Sequence, residues 1–256
     1  MSDVDSGIRV DLDGAVCTIT LCRPDVLNAQ TPATWAALRE VGEQLDPAVR
    51  VVVVRGEGRS FSAGLDRSVF TGASIGGAPS FPEMAKMTPA DCAAVIEGYQ
   101  RAFTWLRRPE IVSVAAVQGH AIGAGFQLAL ACDLRVLAED AQLSMAETTL
   151  GLVPDLAGTK PLVEAVGTAR ALEICLTGRR VPADEAERIG LATLVVPREA
   201  LDDAVADLVA ALVAPPVEAV RETTALITGA GGRTHAEQEA AEREAQTRRL
   251  RTLAGV

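Results

Sequence analysis

The chain has 256 residues, a formal net charge of −10, 48% apolar and 23% charged residues. That length supports a sizeable buried core, while the acidic balance argues against a protein that tracks nucleic-acid phosphates or adheres to an anionic membrane. Aromatic residues make up only 3%, so the core must be assembled mainly from Val, Leu, Ile and Ala.

Residues 8–12 and 15–21 read as the strands of a hairpin, with Asp13-Gly14 supplying the positive φ angles of a tight turn. Arg23-Pro24 ends the second strand. Thr31-Pro32 starts a helix with a capping hydroxyl and a first-turn proline, and Trp35, Leu38, Val41 and Leu45 share one of its faces. The almost unbroken valine run at 49–54 predicts a strand covered on both sides, and 111–117 is a second one. Val95, Tyr99, Phe103 and Leu106 form a helical stripe between them, which makes a βαβ crossover. Two short strands are predicted at 133–138 and 141–145. Beyond about residue 157 helical patterns follow at 159–166, 168–177, 183–189, 201–213, 216–228 and 234–252, interrupted by a short strand at 194–196. Glu239–Arg243 and Glu244–Arg248 are expected to pair at i,i+4 on a solvent-facing side. The Gly-, Ala-, Ser- and Pro-rich segment 71–90 reads either as a disordered insert or as a mobile cover over a site, and its position favours a cover.

The five cysteines are scattered without metal-type spacing, which fits free thiols in a reducing compartment. The N-terminus is polar and acidic rather than signal-like, and no apolar run approaches the ~20 residues that span a bilayer. The cytoplasm is the expected location. His120 sits beside a Gly-rich turn but has no required role, His235 is expected to be solvated, and Trp35 and Trp105 to lie in the core.

Four segments carry chemistry. Phe61-Ser62-Ala63-Gly64-Leu65-Asp66 follows the valine strand, where open α/β sheets place ligands. Gly119 to Asp133 follows the second buried strand and opens a helix. Its glycines allow close backbone approach, and the helix N-terminus presents free N–H groups. It matches neither the dinucleotide fingerprint, because Leu128 stands where the third glycine belongs, nor a phosphate loop. Glu147 is the one carboxylate in an otherwise uncharged run, which marks it as a candidate base with a raised pKa or else a helix cap. Asp155 follows eight residues later.

In combination, Arg23-Pro-x-x-x-Asn28-Ala29, Phe61-Ser-Ala-Gly-x-Asp66, Gly123-Ala-Gly-x-Gln127-Leu-Ala ending at Cys132-Asp133, and Glu147-Thr-Thr-Leu-Gly151-Leu-Val-Pro154 resemble the crotonase superfamily, the enoyl-CoA hydratase/isomerase family. The order and spacings match from about residue 8 to 200. The resemblance implies an α/β fold of repeated ββα units forming a spiral core over 1–198. A helical region over 199–256 would then drive assembly into a homotrimer or a dimer of trimers. It also implies an acyl-CoA thioester substrate. No metal and no separate cofactor are expected, coenzyme A being part of the substrate.

Carried over by motif position, the N–H groups of Leu65 and Ala124 form an oxyanion hole for the thioester oxygen. Arg23, Ala63, Asp66, Gly123 and Gln127 form the substrate-binding set, with Ala63 meeting the adenine through its backbone and the Arg23 region near the CoA phosphates. Hydratases of the family carry two glutamates. Glu147 matches the second, but Gln127 occupies the position of the first, and an amide cannot exchange the second proton that hydration needs. One carboxylate suffices to move a double bond, and dienoyl-CoA isomerases carry an aspartate where Asp155 stands. Enoyl-CoA isomerisation with Glu147 as proton shuttle is therefore the leading expectation. Hydration by Glu147 with Asp155, another reaction of the superfamily (hydrolysis, dehalogenation, C–C cleavage) and a non-catalytic acyl-CoA-binding role remain as alternatives.

Overall fold

The computed structural model describes residues 2–3, 6–71 and 78–255. Strands β1 (Ser2–Asp3), β2 (Ile8–Asp13) and β3 (Val16–Leu21) pair antiparallel in chain order, and Gly14 makes the hairpin turn at φ +53°. The chain then adds β4 (Val51–Gly56), β5 (Val112–Val117), β6 (His120–Ile122), β7 (Leu134–Ala138), β8 (Gln142–Ser144), β9 (Val181–Pro182) and β10 (Leu194–Val196). The larger sheet has the order β1-β2-β3-β4-β5-β7-β10, parallel from β3 onward. The smaller sheet is β6-β8-β9. The helices are α1 (Pro32–Gln44), α2 (Phe81–Met84), α3 (Pro89–Thr104), α4 (Ala124–Ala131), α5 (Thr159–Val166), α6 (Thr168–Thr177), α7 (Ala183–Arg188), α8 (Leu201–Val213), α9 (Val217–Ala230) and α10 (His235–Ala254).

Two-sided burial explains the valine run. Successive strand residues point to opposite faces. Val52 and Val54 enter the main core with Ile19, Leu38 and Phe126, while Val51 and Val53 join Val114, Ala116 and Val136 beneath Leu201 and Val205 of α8. The first of the C-terminal helices therefore covers the second face of the sheet. Arg50 fastens its end by donating to Val213 O (2.7 Å) and Pro215 O (2.6 Å).

The long strands each lead into a short extended segment of a second ladder. Gln30, after β3, bridges Leu65, after β4. Ser62 bridges Ala121 of β6, which follows β5, and β6 pairs with β8, which follows β7. All these pairings are parallel, so the chain advances one step per repeat, and this is the ββα spiral that the motifs imply.

Several boundaries differ from the sequence reading. β4 starts at Val51 rather than 49, because Asp46 closes a turn, accepting from Val49 N through its carbonyl (2.9 Å) and from Ala48 N through Oδ1 (2.8 Å). Residues 72–77 of the expected cover lie outside the described residues. The remainder of that segment is partly helical: Ser80 and Glu83 cap α2, and Thr88 caps α3. β6 and β9 are too short to show a period. Arg248 does not pair with Glu244 on the solvent side. It turns to α9 and donates to both oxygens of Glu222 (2.7 and 2.8 Å), fixing α10 against α9. Glu239 and Arg243 stand 4.0 Å apart, a weak exposed pair as expected. Among the described residues, no helix is long and apolar enough to cross a membrane.

Gly125, in the first turn of α4, lies so close to the neighbouring turn that a Cβ would stand 2.5 Å from Ser62 O. Alanine normally favours a helix over glycine by ~1 kcal/mol. Here overpacking reverses the sign, and Gly125→Ala is expected to lose about 1–3 kcal/mol in urea unfolding. A variant as stable as the parent would show that the two turns can separate freely.

Candidate active site

The site begins with a backbone clamp. Asn28 has left-handed backbone geometry (φ +54°), which asparagine tolerates better than most residues. Its side chain accepts from Arg23 N (2.9 Å) and donates to Glu57 O and Ser60 O (2.9 Å each). The Arg-Pro-x-x-x-Asn spacing thus ties the end of β3 to the end of β4. Ser62 continues the clamp. Its hydroxyl donates to Asn28 O (2.8 Å) and accepts from Gln30 Nε2 (3.1 Å) and Gly64 N (3.2 Å).

That clamp holds the 62–65 turn against the turn between β6 and α4. Gly64 (φ +89°) is required there, because a Cβ would meet Ile122 O at 2.4 Å; it would also stand 3.5 Å from Ala124 N. Leu65 and Ala124 both line a cavity of about 670 Å³. Neither backbone N–H donates to a protein acceptor among the described residues. Ala124 opens α4, where the first N–H groups have no intrahelical partner and form the positive end of the helix. Its φ is not positive, so its methyl group introduces no strain. Two unpartnered main-chain donors on residues that line one cavity suit an oxygen that gains negative charge.

Glu147 stands across from Gly123: a Cβ on that glycine (φ +51°) would be 3.3 Å from Glu147 Oε1. It opens a short 3-10 turn and is buried. Oε1 accepts from Gln127 Nε2 at 2.7 Å, whereas Oε2 is buried with no partner among the described residues. Burial raises its pKa above the usual carboxylate range. Asp155 raises it further, and the Gln127 hydrogen bond opposes the change. The Gln127 amide has a forced orientation. Its Oε1 accepts from Leu156 N (2.9 Å) and Gly158 N (3.3 Å), so its NH2 must face Glu147. Asp155 lines the same cavity, with its pKa also raised by burial. Its carbonyl oxygen accepts from Gln100 Nε2 on α3 (2.8 Å).

Ala63, Leu65, Gly123, Ala124, Gln127, Glu147 and Asp155 therefore come together around one cavity. Arg23 and Asp66 do not line it. They face each other (Nη2 to Oδ2, 3.0 Å), and Arg23 also donates to Ala29 O (2.8 Å). Burial would raise the Asp66 pKa, but hydrogen bonds from Ser68 and Arg23 outweigh it and hold the carboxyl below its usual range. His120 is outside the cavity, and His235 is exposed beside Glu239 (3.3 Å). The apolar stripe of α3 assigns Tyr99 to the core, yet it lines the cavity, its ring tilted against Trp35 with centroids 4.8 Å apart. The signal available in the sequence was its hydroxyl: Tyr99 is the chain's one tyrosine. Trp35 is core, as expected, its indole N–H donating to Gln30 Oε1 (2.8 Å).

A family model described as enoyl-CoA hydratase/isomerase matches residues 11–253. A probable enoyl-CoA hydratase of Mycobacterium tuberculosis is 38% identical over 214 residues, covering 81% of this chain and 73% of that protein. A Thermobifida fusca YX protein assigned as an enoyl-CoA hydratase, crystallised in complex with CoA, is 49% identical with a TM-score of 0.94, covering 99% of this chain and 96% of that one. A structure from the same organism with acetoacetyl-CoA is 50% identical with a TM-score of 0.93, covering 96% of each chain.

Burial gives Glu147 a higher proton affinity in the folded chain than in the unfolded one. Its carboxyl therefore favours folding most below the unfolded pKa and loses that contribution as pH rises through the folded pKa, each tenfold change in the ionisation constant being worth ~1.4 kcal/mol. Glu147→Gln is expected to be more stable than the parent at neutral pH, with the gap closing towards about pH 4. Urea unfolding across that range checks it, and a gap independent of pH would remove Glu147 as its source.

Proposed function

The chain belongs to the enoyl-CoA hydratase/isomerase family, and on that footing we propose that it moves the double bond of an enoyl-CoA thioester using Glu147 as its single proton carrier. The observation that supports this reading is the state of Gln127. Its amide is locked between Leu156 N, Gly158 N and Glu147, so it brings no acid to the site and leaves one carboxylate oxygen, Glu147 Oε2, free to react. In the proposed step Oε2 takes a proton from C2 of a 3-enoyl thioester. The C–H electron pair becomes a C1–C2 double bond and the carbonyl π pair moves onto the thioester oxygen, giving a dienolate conjugated with the C3–C4 double bond. The N–H groups of Leu65 and Ala124 hold that charge, a contribution of roughly 3–4 kcal/mol per donor in well-studied cases. Glu147 returns the proton at C4, leaving the double bond between C2 and C3 and the enzyme unchanged.

The Thermobifida fusca complexes with CoA and acetoacetyl-CoA support placing the thioester in this cavity. Ala63, which lines the cavity, is the residue whose backbone would meet the adenine. Arg23 and Asp66 act at one remove, holding the 63–66 turn through their ion pair. Coenzyme A enters as part of the substrate and no further cofactor takes part in the scheme. The outer sides of α9 and α10 expose Ile227, Leu250 and Leu253 and are proposed to meet other copies in a trimer or a dimer of trimers.

A second reading is hydration of a 2-enoyl-CoA by Glu147 together with Asp155. The presence of Asp155 in the same cavity, with its proton held more tightly than usual, favours it as a possible second acid. Assaying 3-enoyl-CoA isomerisation beside crotonyl-CoA hydration separates the two. The expected result is isomerisation without comparable hydration, reduced about 10²–10⁴-fold in Glu147→Gln. The rate should rise with pH through the elevated pKa of Glu147, because the base must be ionised. Efficient hydration lost in Asp155→Asn would replace this reading with the second.

A further inference from the structure

The cavity has a polar spot that the proton transfer does not use. Most of its wall away from the two turns is apolar, with Phe70, Phe81, Met84, Ile96 and Leu156 among the lining residues. Against this background the Tyr99 hydroxyl is buried with no partner among the described residues, and no side chain among them donates a hydrogen bond to the Asp155 carboxyl. Both groups line the cavity. Their positions are fixed from the same helix. Trp35, itself anchored to Gln30, braces the Tyr99 ring, and the residue after Tyr99, Gln100, holds the Asp155 carbonyl at 2.8 Å. A plain alkyl chain filling this space would strip solvent from the Asp155 carboxyl and leave the Tyr99 O–H donor unsatisfied, which is costly in an apolar enclosure.

Building on the acyl-CoA reading above, we propose that Tyr99 and Asp155 form a binding site for a hydroxyl group on the acyl chain, so that this enzyme's substrates are hydroxyl-bearing acyl-CoA thioesters. A hydroxyl is the group that satisfies both residues at once: it accepts from the Tyr99 O–H and donates to the Asp155 carboxylate. A ketone satisfies Tyr99 alone. Sites that hydrogen-bond a substrate hydroxyl discriminate strongly against the analogue lacking it, because their own polar groups are then left unpaired.

The test is calorimetric titration with matched saturated esters, which bind without turnover: butanoyl-, hexanoyl- and octanoyl-CoA, each with and without a terminal hydroxyl, and free CoA as reference. At the chain length that reaches α3, the hydroxylated ester is expected to bind at least about tenfold more tightly than its alkyl twin. Tyr99→Phe, which keeps the ring that packs on Trp35, is expected to collapse that ratio towards one, and thermal unfolding of the variant verifies that it is folded. Alkyl esters binding as well as hydroxylated ones at every length overturn the proposal while leaving the acyl-CoA reading intact. A ratio that survives in Tyr99→Phe overturns the assignment to this pair. Neither ester series binding more tightly than free CoA would instead count against the acyl pocket itself, and so against the function proposed above.

Discussion

Backbone approach between two turns underlies the whole site. Ser62 N donates to His120 O and Ile122 N donates back to Ser62 O (2.8 and 3.0 Å), so the segment after β4 and the segment after β5 are stitched as a parallel bridge. The approach is possible because Gly64 and Gly125 present no Cβ to the carbonyls of Ile122 and Ser62. Everything catalytic in the proposed scheme depends on this seam. It brings Leu65 and Ala124, whose N–H groups have no acceptor among the described residues, to one cavity, and the stitched strands β6 and β8 carry the chain on to Glu147, which lines the same cavity. The donors are main-chain groups, so their accuracy comes from the spiral rather than from any rotamer.

The same logic explains what the sequence makes legible. The valine run reads correctly as a doubly covered strand because period-2 burial on both faces leaves no polar position. The Gly-rich turns are legible as places of close backbone approach, and residues of both turns line one cavity. Asn28 was visible as a motif letter, but its work as a clamp between β3 and β4 depends on contacts made about thirty residues downstream, which no local pattern carries. Arg23 and Asp66 lie 43 positions apart and find each other only in the fold. Tyr99 was hidden by its own helix, since one hydroxyl does not disturb an apolar stripe. Glu244 and Arg248 fit a solvent-facing pair by spacing alone, yet Arg248 is claimed by Glu222 on the adjacent helix. Local rules propose such pairs, and packing between elements decides among them.

Charge placement in the cavity follows from desolvation more than from neighbours. Burial is the first cause of the upward displacement at both Glu147 and Asp155. Two carboxyls kept short of water hold their protons more tightly than free ones do, and at Glu147 that is the direction the proposed proton transfer uses. The hydrogen bond from Gln127 works against this at Glu147, keeping that group ionisable while occupying one of its two oxygens.

Gln127 also bears on how this pocket could be redesigned. Its amide grips Glu147 with one end and the backbone at Leu156 and Gly158, immediately beyond Asp155, with the other. A carboxylate of the same shape at 127 could keep the backbone contacts, but its second oxygen would face Glu147 Oε1 at about the present 2.7 Å. Two such oxygens cannot both be ionised, so they would share one proton and titrate as a dyad. Installing a second acid by exchanging a single atom would therefore also change the basicity of the first. An engineer seeking a two-carboxylate catalyst from this scaffold would have to reshape the 156–158 turn in the same round, because position 127 is mechanically coupled to both carboxyls of the cavity.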